Sequence, residues 1–122
     1  MTQGSNKPYD LEARTEAFAK AVRLFVKRLP DIPVNWEDIK QVLRSSGSVG
    51  ANYIEANEAL GKKDFLMRIR ICRKEAKESG YWLRLLDAGG DAALEQEQPT
   101  LVNESVELMR IFGAILRKSE DK

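Results

Sequence analysis

The residues that could do chemistry in this sequence form a polar stripe within the segment 41–57. Successive side chains of a helix turn by about 100°, which places these polar groups on one face. They are amide, hydroxyl, guanidinium and carboxylate groups rather than the mixture of Lys and Glu that is typical of a solvated face. Two carboxylates of a later segment could join them. The complete set is Gln41, Arg44, Ser48, Asn52, Glu55, Glu75 and Glu78.

Two interpretations of this polar set are open. It could be a binding or catalytic cluster, or it could be a network that holds one helix against another helix or subunit. The guanidinium of Arg44 can pair with a carboxylate through two hydrogen bonds, and Asn52 offers both a donor and an acceptor. Buried polar groups of this kind fix register more than they add stability. We favour a structural polar network.

A catalytic function is not expected from the residue types. The sequence has no histidine, the side chain that most often serves as general acid or base. Its single cysteine, Cys72, falls on an apolar helical stripe, where a thiol is usually inert. The Glu-x-x-His motif of di-iron helical bundles is absent. We therefore predict no enzyme, no catalytic residues, no metal site and no cofactor.

A basic arc is the second candidate site. It lies in the segment 62–88, where Lys and Arg outnumber Asp and Glu, although the whole chain carries a net charge of only +1. The arc could contact the phosphates of a nucleic acid. Alternatively, it is a solvated face partly paired with the acidic side chains of the last helix or of a neighbour, which we favour. The arc consists of Lys63, Arg70, Arg73, Lys74, Lys77 and Arg84.

The same segment has a second apolar side, almost opposite its core stripe. A helix with two apolar sides in a small protein is either central or partly covered by another subunit. We therefore predict a subunit interface at Met67, Ile71, Tyr81 and Leu85.

Helices must position all these groups, because apolar residues recur at helical spacing and no strand-like alternation is present. The length of 122 residues fits one domain. We predict the all-α class, as an antiparallel up-and-down four-helix bundle over residues 10–118 with a flexible tail at 1–9. Asn35 is expected to cap the second helix and Pro99 to begin the fourth. The predicted helices span about 10–29, 35–60, 62–88 and 99–118.

Composition also bears on location. No stretch approaches the roughly 18 apolar residues of a membrane span, and the polar N-terminus lacks a signal peptide. A single cysteine excludes an internal disulfide. We therefore expect a cytoplasmic protein without a membrane partner.

Within the second helix, Gly50 lies on the core stripe and predicts a close approach of another backbone.

Two motifs in the same order carry a resemblance to a known family. One is KEAKESGYWLRLL at residues 74–86. The other has the spacing Q-x-x-R-S-x-x-S-V-x-x-N-x-x-E and consists of Gln41, Arg44, Ser45, Ser48, Val49, Asn52 and Glu55. Over residues 10–118 the chain resembles the four-helix-bundle family named for the 23S ribosomal RNA intervening sequence.

This resemblance implies a bundle that assembles as a homopentameric ring, and it does not imply an enzyme. Most members of the family have no assigned role. A related branch, the accessory proteins of diversity-generating retroelements, is strongly basic and binds nucleic acid and a reverse transcriptase. Two functions from different classes follow as hypotheses. One is a non-enzymatic oligomeric scaffold whose partners are its own copies. The alternative is a nucleic-acid-binding accessory protein that uses the basic arc.

Overall fold

The computed structural model describes residues 10–120, which form four α-helices and no strand. Helix α1 spans Leu11–Val26, α2 spans Pro33–Asn57, α3 spans Lys62–Leu85 and α4 spans Ala92–Glu120. The predicted all-α class is therefore confirmed for this part of the chain. The predicted tail at residues 1–9 lies outside the described residues. None of the four helices is long and apolar enough to cross a membrane.

Each helix packs against its neighbour in chain order, and α1 also packs against α4, as in a four-helix bundle. The pairing of helix starts with helix ends shows that neighbours run antiparallel. Glu12 near the start of α1 accepts a hydrogen bond from Asn57 at the end of α2. Asn35 near the start of α2 likewise binds Asp87, just beyond α3. Short connections between packed helices produce this arrangement.

The core consists of the apolar stripes of all four helices. Phe25, Phe112, Ile69 and Leu83 are among its largest fully buried side chains. Each buried side chain of this size contributes roughly 1.5–3 kcal/mol to folding. The approach of α1 to α2 is especially close, because a Cβ atom at Gly50 would lie 2.9 Å from the Oγ1 atom of α1 residue Thr15. The predicted close approach at Gly50 is thus confirmed.

Asn35 is not the N-cap of α2, so that prediction was wrong. The helix begins two residues earlier, at Pro33, because proline suits the first turn, where its missing N–H would have no helical partner. Asn35 is instead fully buried and joins two loops at one end of the bundle. Its Nδ2 donates to the carbonyls of Pro30 at 3.2 Å and Asp87 at 2.9 Å. Its Oδ1 accepts from the Asp87 amide at 2.9 Å.

Pro99 does not begin α4 either, since the helix starts at Ala92 and contains this proline. The carboxylate of Asp91 accepts a hydrogen bond from the Leu94 amide at 3.1 Å, which stabilises the earlier start. Gln98, which the predicted helix bounds place between α3 and α4, lies inside α4. Its side chain donates to the carbonyl of Leu83 at 2.6 Å and so satisfies an acceptor at the end of α3. Helices α1, α2 and α3 each end three residues earlier than predicted.

Candidate functional site

Arg44 connects α2 to two carboxylates of α3. Its Nη1 lies 3.5 Å from Glu75 Oε1, and its Nη2 donates to Glu78 Oε1 at 3.2 Å. Glu75 is only 7% exposed, whereas the Arg44 side chain is half exposed. A buried carboxylate is costly unless it is paired. Arg44 therefore offsets the cost of burying Glu75 at the rim of the α2–α3 contact.

Asn52 forms a second cluster between the same two helices. Its Nδ2 donates to both the carbonyl and the Oγ of Ser48 at 2.9 Å, one turn earlier on α2. Its Oδ1 accepts from Nη1 of Arg68 on α3 at 2.9 Å. Our sequence reasoning missed Arg68. If Arg44 faces Glu75, an antiparallel register places residue 68 close to Asn52, so this pairing could have identified Arg68 from the sequence.

Gln41 and Glu55 lie outside these clusters. Gln41 binds Glu37 of its own helix at 2.8 Å, and Glu55 is exposed, without a side-chain hydrogen bond or ion pair to residues 10–120. A buried hydrogen bond of 2.9 Å joins the hydroxyls of Ser45 and Ser79, which directly follow Arg44 and Glu78 in the chain, so this pair lies beside the Arg44 cluster. The predicted set is therefore divided into two cross-helix clusters, and the buried serine pair adjoins the first of them.

The thiol of Cys72 is not a nucleophile at neutral pH. Burial raises its pKa to about 12, and Sγ donates to the carbonyl of Val49 at 3.4 Å. The thiol thus remains protonated and serves as packing between α3 and α2. In the described part of the chain, no group of three His, Cys, Asp or Glu side chains could hold a metal ion.

The six residues of the basic arc are all exposed on α3. Four of them, Arg70, Arg73, Lys74 and Lys77, line a cleft of about 330 Å³ that reaches Leu116 of α4. Lys63 and Arg84 lie outside this cleft. Among residues 10–120, only Arg70 of the arc has an ion-pair partner, at 2.5 Å from Glu120.

The ion pair of Arg70 agrees with an arc partly paired with the last helix, whereas the acidic side chains early in α4 have other partners. Glu104 accepts two hydrogen bonds from Arg14 of α1, at 2.7 and 2.9 Å. This hydrogen bonding is the main reason why the pKa of the Arg14 guanidinium is raised. Glu97 pairs with Arg28, close after α1. These carboxylates therefore join α4 to α1 and its following turn, so the arc keeps most of its positive charge.

The predicted interface residues follow one outer side of α3. Met67, Tyr81 and Leu85 are between 44% and 49% exposed, and Ile71 is half-buried. Lys74 and Glu78 occupy the intermediate positions of the same row. The row repeats at alternating intervals of four and three residues, which is the spacing of a helix–helix contact seam.

Residues 9–114 match the family described as 23S rRNA-intervening sequence protein. The chain belongs to this family. A solved structure from the S23 ribosomal protein family of Bacteroides thetaiotaomicron, a protein of unknown function, is 32% identical with a TM-score of 0.69. The match covers 87% of this chain and 97% of that chain. The comparison with curated proteins gives no match.

In this member of the 23S rRNA-intervening sequence protein family, the two motifs lie on the facing sides of α2 and α3. Arg44, Ser45 and Asn52 of the first motif make the cross-helix contacts described above. Glu75 and Ser79 of the second motif are the partners in two of them, Glu75 with Arg44 and Ser79 as the donor to Ser45. Arg44, Asn52 and Glu75 of the predicted polar set thus have protein partners on the facing helix, and their arrangement holds α2 in register with α3.

Proposed function

We propose that this protein is a non-enzymatic scaffold that acts by assembling with copies of itself, as a homopentameric ring. The observation that carries the proposal is the exposed apolar row of α3: Met67, Ile71, Tyr81 and Leu85. The opposite side of this helix already lies in the core, so the bundle does not need the row for its own packing. Apolar rows exposed on an otherwise charged helix are typical of protein contact sites.

A ring requires two different contact surfaces on each subunit, because its interfaces are head-to-tail. The second surface would be the outer groove between α1 and α2, which has a volume of about 270 Å³. Its small side chains would admit a neighbouring helix closely, and Ile54 at its edge is 50% exposed. Glu12 and Glu16 also line the groove and would face the cations that flank the apolar row. The small and apolar lining residues are Ala19, Gly47, Gly50, Ala51 and Ile54.

The polar clusters support assembly indirectly. The groove lies partly on α2 and the apolar row lies on α3, so the angle between the two surfaces depends on how these helices are held. The relative position of these two helices is fixed by the contact of Arg44 with Glu75 and by that of Asn52 with Arg68. In a head-to-tail assembly, the angle between the two surfaces determines whether the ring closes and how many subunits it contains. A rigid α2–α3 pair is therefore a requirement of a closed ring.

Light scattering coupled to size-exclusion chromatography tests the proposal. We expect several subunits for the wild-type protein, and a shift toward monomer for both Tyr81→Glu in the row and Ile54→Glu in the groove. Val34→Glu is the matched control, because Val34 is 57% exposed but belongs to neither surface. A stable wild-type monomer would refute the scaffold. Dimers that Tyr81→Glu dissociates and Ile54→Glu does not would instead indicate a two-fold contact of the row with itself.

A second candidate function is nucleic-acid binding through the basic arc of α3. The exposed cleft favours it, because Arg73, Lys74 and Lys77 have no ion-pair partner among residues 10–120. Phosphate contacts release counterions, so affinity for RNA or DNA should fall steeply with salt concentration. Fluorescence anisotropy with a labelled oligonucleotide measures this dependence. Absence of binding at about 50 mM salt would exclude this function.

A further inference from the structure

We propose that the cleft between α3 and α4, together with the adjoining surface over Gly113, is a binding site for one phosphate group. Arg73 and Lys77 of α3 line the cleft, and Arg117 of α4 approaches Arg73 at its margin. The inference rests on the second candidate function and deepens it, because it replaces a diffuse basic face with a defined site. Arg117 was not among the side chains singled out from the sequence. It lies on a different helix from the arc, so only the packing of α4 on α3 brings it near.

The two guanidinium groups converge over Gly113. A Cβ atom built on this glycine would lie 3.6 Å from Arg73 Nε and 3.5 Å from Arg117 Nη1. The two nitrogens therefore lie no farther apart than the sum of these distances, although they belong to different helices. An oxyanion accepts charge-assisted hydrogen bonds of about 2.8 Å, so two oxygens of one phosphate would span the separation.

The charge of the cleft indicates an anionic ligand. Arg73, Lys74 and Lys77 line it and are exposed, and neither they nor Arg117 has an ion-pair partner within the described segment. Like charges held this close repel one another, and a bound anion would remove that cost. Arg70 also lines the cleft, but it is already paired with Glu120 and is therefore not counted among the phosphate ligands. Several cations around a small volume suit a phosphate better than a singly charged carboxylate.

The absence of a side chain at residue 113 is a separate observation in favour of the site. Gly113 lies in the interior of α4 and is buried. An interior glycine costs a helix roughly 1 kcal/mol relative to alanine. Here it leaves open the space in which the two arginines approach, and a large side chain would fill that space. Leu116 provides an apolar wall without competing acceptors.

The test compares binding of two probes, inorganic phosphate and a short single-stranded RNA, to the wild-type protein and variants. We expect Arg73→Ala and Arg117→Ala each to weaken binding about tenfold, as for loss of one charged hydrogen bond. Gly113→Leu should weaken it similarly without changing any charge. Arg110→Ala is the matched control, since it removes an exposed arginine of α4 that belongs to neither the cleft nor the basic arc, and should change affinity by less than about twofold. Arg84→Ala removes an arginine of the arc outside the cleft and so distinguishes a diffuse basic face from a defined site. Circular dichroism verifies that each variant is folded.

The outcomes separate the site from the broader function. If RNA binds and Arg84→Ala weakens it as much as Arg73→Ala, nucleic-acid binding stands and the phosphate site is refuted. If only inorganic phosphate binds, and binding requires Arg73 and Arg117, the site stands and the nucleic-acid function fails. If neither probe binds at low salt, both proposals are overturned.

Discussion

Replacing Asn35 by alanine should destabilise the bundle strongly, although the residue is remote from the α2–α3 clusters. The side chain is fully buried and makes three hydrogen bonds to Pro30 and Asp87. Pro30 would still accept a bond from the Ile32 amide, but the amide and carbonyl of Asp87 would each lose this partner. These two hydrogen bonds are partly buried, so each unpaired group costs toward the lower end of about 1–3 kcal/mol. We therefore expect a loss of about 2–4 kcal/mol in the free energy of unfolding.

Urea unfolding followed by circular dichroism measures this loss, at one fixed protein concentration because assembly would shift the transition. Asn57→Ala is the control: its amide also bonds across helices, to Glu12, but is exposed, so we expect less than about 0.5 kcal/mol. Asn35→Asp keeps the shape yet places a carboxylate beside two carbonyls, and should be at least as harmful as alanine. A loss below about 1 kcal/mol for Asn35→Ala would refute the reasoning.

Three further predictions concern the interior of the bundle. Arg44→Ala should lower the free energy of unfolding in urea by about 1–3 kcal/mol, because it leaves the buried Glu75 carboxylate unpaired. Adding Glu75→Gln should recover part of that loss, and no recovery would contradict the pairing. Gly50→Ala should lower the melting temperature, since the clash with α1 outweighs the roughly 1 kcal/mol gained from helix propensity. Gly61→Ala, which meets nothing within 4 Å, should leave the melting temperature nearly unchanged. Cys72 should react with a disulfide reagent only as fast as the protein unfolds, even at about pH 9, because its thiol is buried and its pKa is raised to about 12. Rapid labelling of the folded protein would contradict this.

Much of α3 could be predicted from the sequence, because its periodicity separates three sides. The core side with Ile69, the exposed row with Tyr81 and the basic arc with Arg73 all lie where the helical spacing places them. The helix ends were predicted less well. Cap preferences are weak local signals, and Asn35 satisfies the pattern of a cap while its side chain is used for a buried bond between two loops.

The all-α class was accessible from residue types and spacing, because a helix is a local structure with a fixed period. Family membership was accessible from the resemblance of two motifs to those of a known family. The partners of polar side chains were not, since they depend on which residues the antiparallel register brings together from distant segments. Arg68 opposite Asn52, Ser79 opposite Ser45 and Arg117 beside Arg73 are contacts of this kind. Sequence thus determined which faces each helix has, whereas tertiary packing alone decided which charges of residues 10–120 form ion pairs with one another.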